Sequence, residues 1–189
     1  EVKIIRINEI EKPTKKILFL EEAIGPSNPN GFKDLRNLLD IQICGGEVIT
    51  TPFEMLERIK NEIYDFVQPD ASVIGGMTAV MDIFKEASKN NVDTVVHAWG
   101  GPVAIMANYQ CAFAFNGKLV EYPMIPFKLE EEMFKDQRLI KEGKVLKPTA
   151  NGIGINFSQD LEKRFKFDEE AVYSCVVVDR GQPVDDCWK

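Results

Sequence analysis

The sequence is poor in positive charge: 23 lysines and arginines stand against 30 aspartates and glutamates, a formal net charge of −7 at pH 7. Such a chain repels nucleic acid and anionic lipid at long range, and no basic stripe reverses that sign, so neither nucleic acid nor membrane is an expected partner. An anionic small substrate stays open, because a bound divalent cation would be the largest local charge in a site. No apolar run approaches the roughly 20 residues that span a bilayer, and no basic stretch precedes a long apolar one as in a leader. The four cysteines, Cys44, Cys111, Cys175 and Cys187, form no Cys-x-x-Cys pair and no zinc-finger spacing. Reduced thiols in a cytoplasmic protein are the expectation. A Gly-x-Gly-x-x-Gly turn after a strand is also missing, which removes the usual support for a dinucleotide site. Histidine is nearly absent too, with His97 alone.

What is present is a recurring unit. Residues 17 to 20 form an apolar strand-like run that ends in Glu21-Glu22, and after a Gly/Pro/Asn loop Phe32, Leu35, Leu38 and Leu39 have helical spacing. A second unit runs from Ile41 to Cys44, ends at Gly45-Gly46-Glu47, and continues into a helix opened by Thr51-Pro52. In that helix Phe53, Leu56, Ile59 and Ile63 are expected on one buried face, with proline at the tolerated first turn. The third unit reaches Gln68-Pro69-Asp70, then Gly75-Gly76, then a helix bearing Val80, Ile83, Phe84 and Ala87. The fourth is Thr94 to His97, a turn at Gly100-Gly101, and an apolar helix from Val103 to about Phe115. A fifth strand is expected over Leu119 to Pro123.

Each unit places an ionisable side chain at the C-terminal end of its strand. From Glu21 to Glu47 is 26 residues, to Asp70 a further 23, to His97 a further 27 and to Glu121 a further 24. A period of about 25 residues suits a strand, two loops and a helix in a right-handed parallel crossover. An α/β fold follows. In a (β/α)8 barrel of the TIM type such strand ends converge on one mouth, where these enzymes put their chemistry. An open doubly wound sheet also alternates strand and helix but does not bring five consecutive strand ends to one point.

The motifs Leu20-Glu21-Glu22, Gly45-Gly46-Glu47, Gln68-Pro69-Asp70 with Gly75-Gly76, and His97-Ala98-Trp99-Gly100 resemble successive strand-end signatures of the enolase superfamily. The later Gly152-Ile153-Gly154-Ile155 is similar to its closing Pro-Gly-x-Gly segment, so the resemblance runs from about residue 17 to 167. Within the mandelate racemase/muconate lactonizing enzyme family, the mandelate-racemase-like subgroup is the nearer one, because the muconate-lactonising subgroup generally has lysine where Asp70 stands. The resemblance implies strands four to eight of the barrel over residues 15–125. Residues 1–14, which alternate apolar and polar, are expected to be a strand of an α+β capping domain, and residues 126–189 a segment that returns to it. Ala171 to Val178 would form a strand there.

Carried over position by position, the resemblance implies that Glu21 and Glu47 are ligands of a Mg²⁺ ion. It gives His97 the part of general base, with Asp70 fixing its tautomer. Glu121 is implied to support the substrate carboxylate opposite the metal, its plainer reading being an exposed glutamate. Trp99 is either a wall of the substrate pocket or a core residue. Glu22 has no role in this scheme and is placed near the ligands or on the surface. The chemistry asks for such a set, since a proton α to a carboxylate is weakly acidic and its removal builds negative charge that must be met in place.

The resemblance also implies an aspartate ligand and a Lys-x-Lys pair on earlier strands, and residues 1 to 20 hold neither. A capping strand joined directly to barrel strand four is the resulting expectation, and the two free sheet edges of a partial barrel would favour a homo-oligomer. The function implied is a Mg²⁺-dependent lyase acting on a small carboxylate, an acid sugar or other hydroxy acid, as a dehydratase. A racemase or epimerase of a carboxylic acid is the enzymatic alternative. A catalytically incomplete, non-enzymatic member of the family is the other.

Overall fold

Parallel strands joined by helices need both faces covered, and the burial pattern divides the strand residues accordingly. The computed structural model describes residues 17–123, 128–134, 140–147, 149–155, 157–167, 178–179 and 182–183. Five strands, β1 (Phe19–Glu21), β2 (Gln42–Gly45), β3 (Phe66–Val67), β4 (Asp93–Val96) and β5 (Leu119–Val120), pair in sequence order, every neighbour parallel. They are connected by α1 (Pro29–Leu38), α2 (Pro52–Lys60), α3 (Met77–Lys89) and α4 (Pro102–Ala114). The sheet curls into a half-barrel, an α/β fold. Ile43, Val67 and Val96 point to the helices and join the main core with Phe32, Ile59, Ile83 and Ile105. Their neighbours Cys44, Phe66 and Val95 point to the opposite, concave face, where Phe19 packs against Phe66 with ring centroids 5.2 Å apart. The two-residue alternation of a strand thus feeds two separate apolar clusters.

Local chemistry sets the helix starts. The Thr51 hydroxyl accepts from the Glu54 N–H and Pro52 occupies the first turn of α2, while Asn28 caps α1 through the Gly31 N–H. α1 therefore begins three residues before the apolar stripe that marks it in the sequence. In α2 the expected buried face is wrong at one position: Phe53 is 74% exposed, and Met55 is fully buried in its place. Phe53 and Ile59 are six residues apart, so at 100° per residue they stand about 120° apart around the axis. Met55, four residues from Ile59, shares its face.

After β5 come α5 (Lys128–Phe134) and an antiparallel hairpin, β6 (Ile140–Lys141) with β7 (Lys144–Val145), turning through Glu142-Gly143. Phe134, Val145, Ile153 and Ile155 pack onto the main core. This first compact unit ends at Asn156. A second unit, from Phe157 onward, contains α6 (Gln159–Arg164), capped by the Ser158 hydroxyl, and a short antiparallel pair, β8 (Val178–Asp179) with β9 (Gln182–Pro183). Residues 1–14, assigned in sequence to a capping strand, lie outside the described residues, as does the strand expected from Ala171 except for Val178. Of the cysteines, Cys44 and Cys111 are described, and both are buried free thiols. No helix among the described residues is long and apolar enough to cross a membrane.

Candidate functional site

Parallel pairing puts all five strand C-termini on one end of the sheet, and the loops that leave them carry the ionisable residues singled out in the sequence. At β2 the chain leaves through Gly45-Gly46. Gly46 has φ +111°, and a Cβ there would stand 2.8 Å from Met55 Cε, so only glycine turns the chain here toward Glu47. The freed Gly46 N–H donates to Oε1 of Glu22 at 2.7 Å. Glu22 is thereby bent back over β2, next to Glu21 and Glu47. Burial pushes its carboxyl up, the Gly46 donor pulls it down, and the neighbouring Glu47 charge pushes it up again, for a net rise.

Beyond β3 and β4 lie Asp70 and His97, side by side. Nδ1 of His97 is 2.8 Å from Oδ2 of Asp70. Asp70 is 2% exposed, and its other oxygen accepts from the Ser72 N–H at 2.8 Å, the Ser72 hydroxyl at 2.7 Å and Asn108 Nδ2 at 2.8 Å. Burial alone would raise this carboxyl, but the bonds from His97, Asn108 and Ser72 outweigh it and hold Asp70 at about 2. Burial disfavours the charged imidazole, yet the Asp70 bond and the charges of Glu121 and Glu47 raise His97 overall. The second ring nitrogen, Nε2, is 3.4 Å from Oε2 of Glu47. Three strand ends thus meet at one imidazole.

Glu121, just past β5, accepts from the Ala98 N–H at 2.9 Å through Oε2 and from Gln68 Nε2 through Oε1, and Tyr109 on α4 donates to its backbone carbonyl at 2.7 Å. Burial raises its carboxyl, the Ala98 donor and the His97 charge lower it, and Glu21 raises it, leaving it above the ordinary value. That the charge of Glu21, on β1, reaches Glu121, next to β5, follows from the curl of the sheet. Glu21 itself is exposed at the tip of its strand, and Trp99 is 39% exposed, which removes the core reading for its ring. A cavity of about 850 Å³ opens at the opposite end, among residues such as Gln42, Asp93 and Leu119 at the strand N-termini, away from these groups.

The sequence did not single out Gln68, Ser72 or Asn108 as site residues. Gln68 and Asn108 carry the signal of polar residues inside apolar segments, and both are fully buried. Most buried amides have their hydrogen bonds made. Asn108 makes them at both ends, to Asp70 and to the Ala71 N–H at 2.8 Å.

A model of the enolase C-terminal domain-like family matches residues 4–161. The chain belongs to that family. Among curated relatives it is 25% identical over 150 residues to an arabinonate dehydratase of Saccharolobus solfataricus, covering 79% of this chain and 40% of that protein. Among solved structures it is similar to a mandelate racemase/muconate lactonizing enzyme-like protein from Roseovarius sp., with TM-score 0.74, 24% identity, and coverage of 85% of this chain and 40% of the other. A further similar structure, with TM-score 0.67 and 27% identity, is an enolase from Pantoea ananatis with bound D-gluconate and Mg, matched over 78% of this chain and 36% of that one. The enolase-family chain described here therefore spans about two fifths of the length of the relatives it matches.

Proposed function

We propose that this chain carries one half of the active site of a Mg²⁺-dependent sugar-acid dehydratase. The observation that carries the reading is the convergence of Asp70 and Glu47 on the His97 imidazole at the C-terminal ends of parallel strands. Relatives named as arabinonate, xylonate and gluconate dehydratases, and one named as a D-galactonate dehydratase family member, support the substrate class.

Glu21 and Glu47 are the residues that would hold the metal. Among the described residues no group of three His, Cys, Asp or Glu side chains is arranged to do so. Two hard carboxylates from adjacent strand ends still fit Mg²⁺, which commonly takes one or two carboxylates and leaves its other positions to water and substrate. Bound there, it would supply positive charge to a substrate carboxylate as that group gains electron density.

The chain's own residues supply the proton chemistry. With Nδ1 committed to Asp70, His97 offers Nε2 as the working nitrogen. It takes the proton α to the carboxylate, or, once protonated, gives one to the hydroxide leaving the neighbouring carbon, and the raised basicity from Asp70 favours uptake. Ser72 and Asn108 keep Asp70 in position, Glu121 holds the substrate beside His97, and Trp99 contributes an exposed ring to the pocket rim. A small hydroxy-acid substrate and a homo-oligomeric assembly complete the proposal. A screen of acid sugars for dehydration with Mg²⁺, run beside His97→Asn, tests it. Activity that survives the substitution takes the proton-transfer role away from His97.

A further inference from the structure

At its C-terminal end the pairing of β1 with β2 closes on the Glu22 N–H, which donates to the Cys44 carbonyl at 3.1 Å. Beyond that rung the two chains turn separately, β1 at Glu22 with φ +39° and β2 at Gly46 with φ +111°. A side chain then bridges the two turns, since Oε1 of Glu22 accepts from the Gly46 N–H at 2.7 Å. Glu22 directly follows Glu21, and Gly46 directly precedes Glu47. The neighbouring position leaves room for this bridge. A Cβ at Gly45 would stand 2.9 Å from Oε1 of Glu22 and 2.9 Å from the Tyr64 ring. That ring is buried and its hydroxyl receives a bond from Arg58, so the carboxylate is what a side chain at position 45 would displace. The left-handed backbone at Glu22 would suit glycine better, and glycine would forfeit the bridge. Glu22 does not join Glu21 and Glu47 as a third ligand, because among the described residues no group of three such side chains is arranged to hold an ion.

We propose that Glu22 is a positioning residue of the metal site, whose carboxylate pins the turn after β2 to the end of β1 and so sets the separation of Glu21 and Glu47. Mg²⁺ demands a near-ideal octahedral arrangement of its oxygens. Ligands on two untied turns would have to lose freedom when the ion binds, whereas a pinned pair has already lost it. The same pin keeps Glu47 where its Oε2 stands 3.4 Å from Nε2 of His97. The role toward the metal rests on the Mg²⁺-dependent reading proposed above, while the pin of Glu22 on Gly46 stands apart from it.

Two charge-matched variants of the whole chain separate the pin from the charge. Glu22→Gln and Glu22→Ala both remove a negative charge near the ion, but only glutamine keeps an oxygen that can accept from Gly46. In calorimetric titration Glu22→Ala is expected to bind Mg²⁺ about fivefold or more weakly than Glu22→Gln. Equal affinity of the two variants overturns the positioning role, since position 22 then contributes its charge or nothing. Hydrogen exchange reads the pin without metal. The Gly46 amide is expected to exchange about tenfold or more faster in Glu22→Ala than in Glu22→Gln, while the Ile43 and Val67 amides exchange alike in both and show the fold intact. Equal Gly46 exchange in the two overturns the pin. So does a Gly46 amide that exchanges in the unmodified chain as fast as an unstructured one, with no variant required to fold. No Mg²⁺ binding to the unmodified chain at millimolar metal, with Gly46 still protected, overturns the Mg²⁺ reading and the role toward the metal with it, and leaves Glu22 as the tie between the two turns.

Discussion

Asp70 presents one oxygen to His97 at 2.8 Å and keeps the other saturated by Ser72 and Asn108, so the carboxylate cannot rotate away from the imidazole without breaking three further bonds. The pair is fixed from the aspartate side. Replacing Asp70 by Asn keeps the shape but removes the charge that stabilises the imidazolium and selects the tautomer. We expect kcat for dehydration to fall by about 10²–10⁴-fold, with Mg²⁺ affinity nearly unchanged, as read by steady-state kinetics and calorimetry. Unaltered kcat would leave the Asp70–His97 bond a purely structural one.

The same bond has a pH signature in stability. Asp70 lies lower in the folded chain, at about 2, than its ordinary value of 3.8. Its contribution is therefore fully present above about pH 4 and is lost as pH falls toward 2, and it amounts to roughly 2 kcal/mol. Denaturant unfolding of the unmodified chain from pH 5 to pH 2 should show this loss, and Asp70→Asn should lack it. Parallel stability curves for the two proteins would contradict the shift.

Glu47 faces two ways, toward Nε2 of His97 and toward the Glu21–Glu22 turn, whose Glu22 senses its charge. A Mg²⁺ ion held by Glu21 and Glu47 must draw Glu47 from the imidazole or share it. Calorimetric titration is expected to show Mg²⁺ binding to the unmodified chain and at least about tenfold weaker binding to Glu47→Gln, since a hard cation loses one of its charged oxygen ligands. No binding to the unmodified chain at millimolar Mg²⁺ would remove both glutamates from the metal role.

On α2 the two apolar neighbours of the first turn should behave oppositely. Met55→Ala removes a fully buried side chain that also touches the Gly46 turn, and an unfolding free-energy loss of about 2–5 kcal/mol is expected. Phe53→Ser, at an exposed position, should stay within about 0.5 kcal/mol. Reversal of that order in chemical denaturation would refute the helix orientation.

Much of this was legible in the sequence because it is local or periodic. The repeat from Glu21 to Glu121 announces βα units, and Thr51-Pro52 announces a helix start, since a cap and a fixed φ act within one turn. The face of α2 was misread because Phe53 satisfies an apolar count without lying on the packed side. Gln68 and Asn108 were missed for a related reason. An amide inside an apolar run becomes meaningful only when the groups it bonds, 53 residues away for Glu121 and 38 for Asp70, are known.

By itself the sequence determined the order of the strands and which ionisable residue each would carry at its end, because strand alternation, turn glycines and helix caps are written in neighbouring residues. Tertiary structure alone decided what those residues do to one another. The curl of the sheet brings the field of Glu21 onto Glu121, α4 delivers Asn108 to Asp70, and the turn after β2 aims Glu47 at His97. Hydrogen bonds act over about 3 Å, and no spacing along the chain states which distant groups come that close.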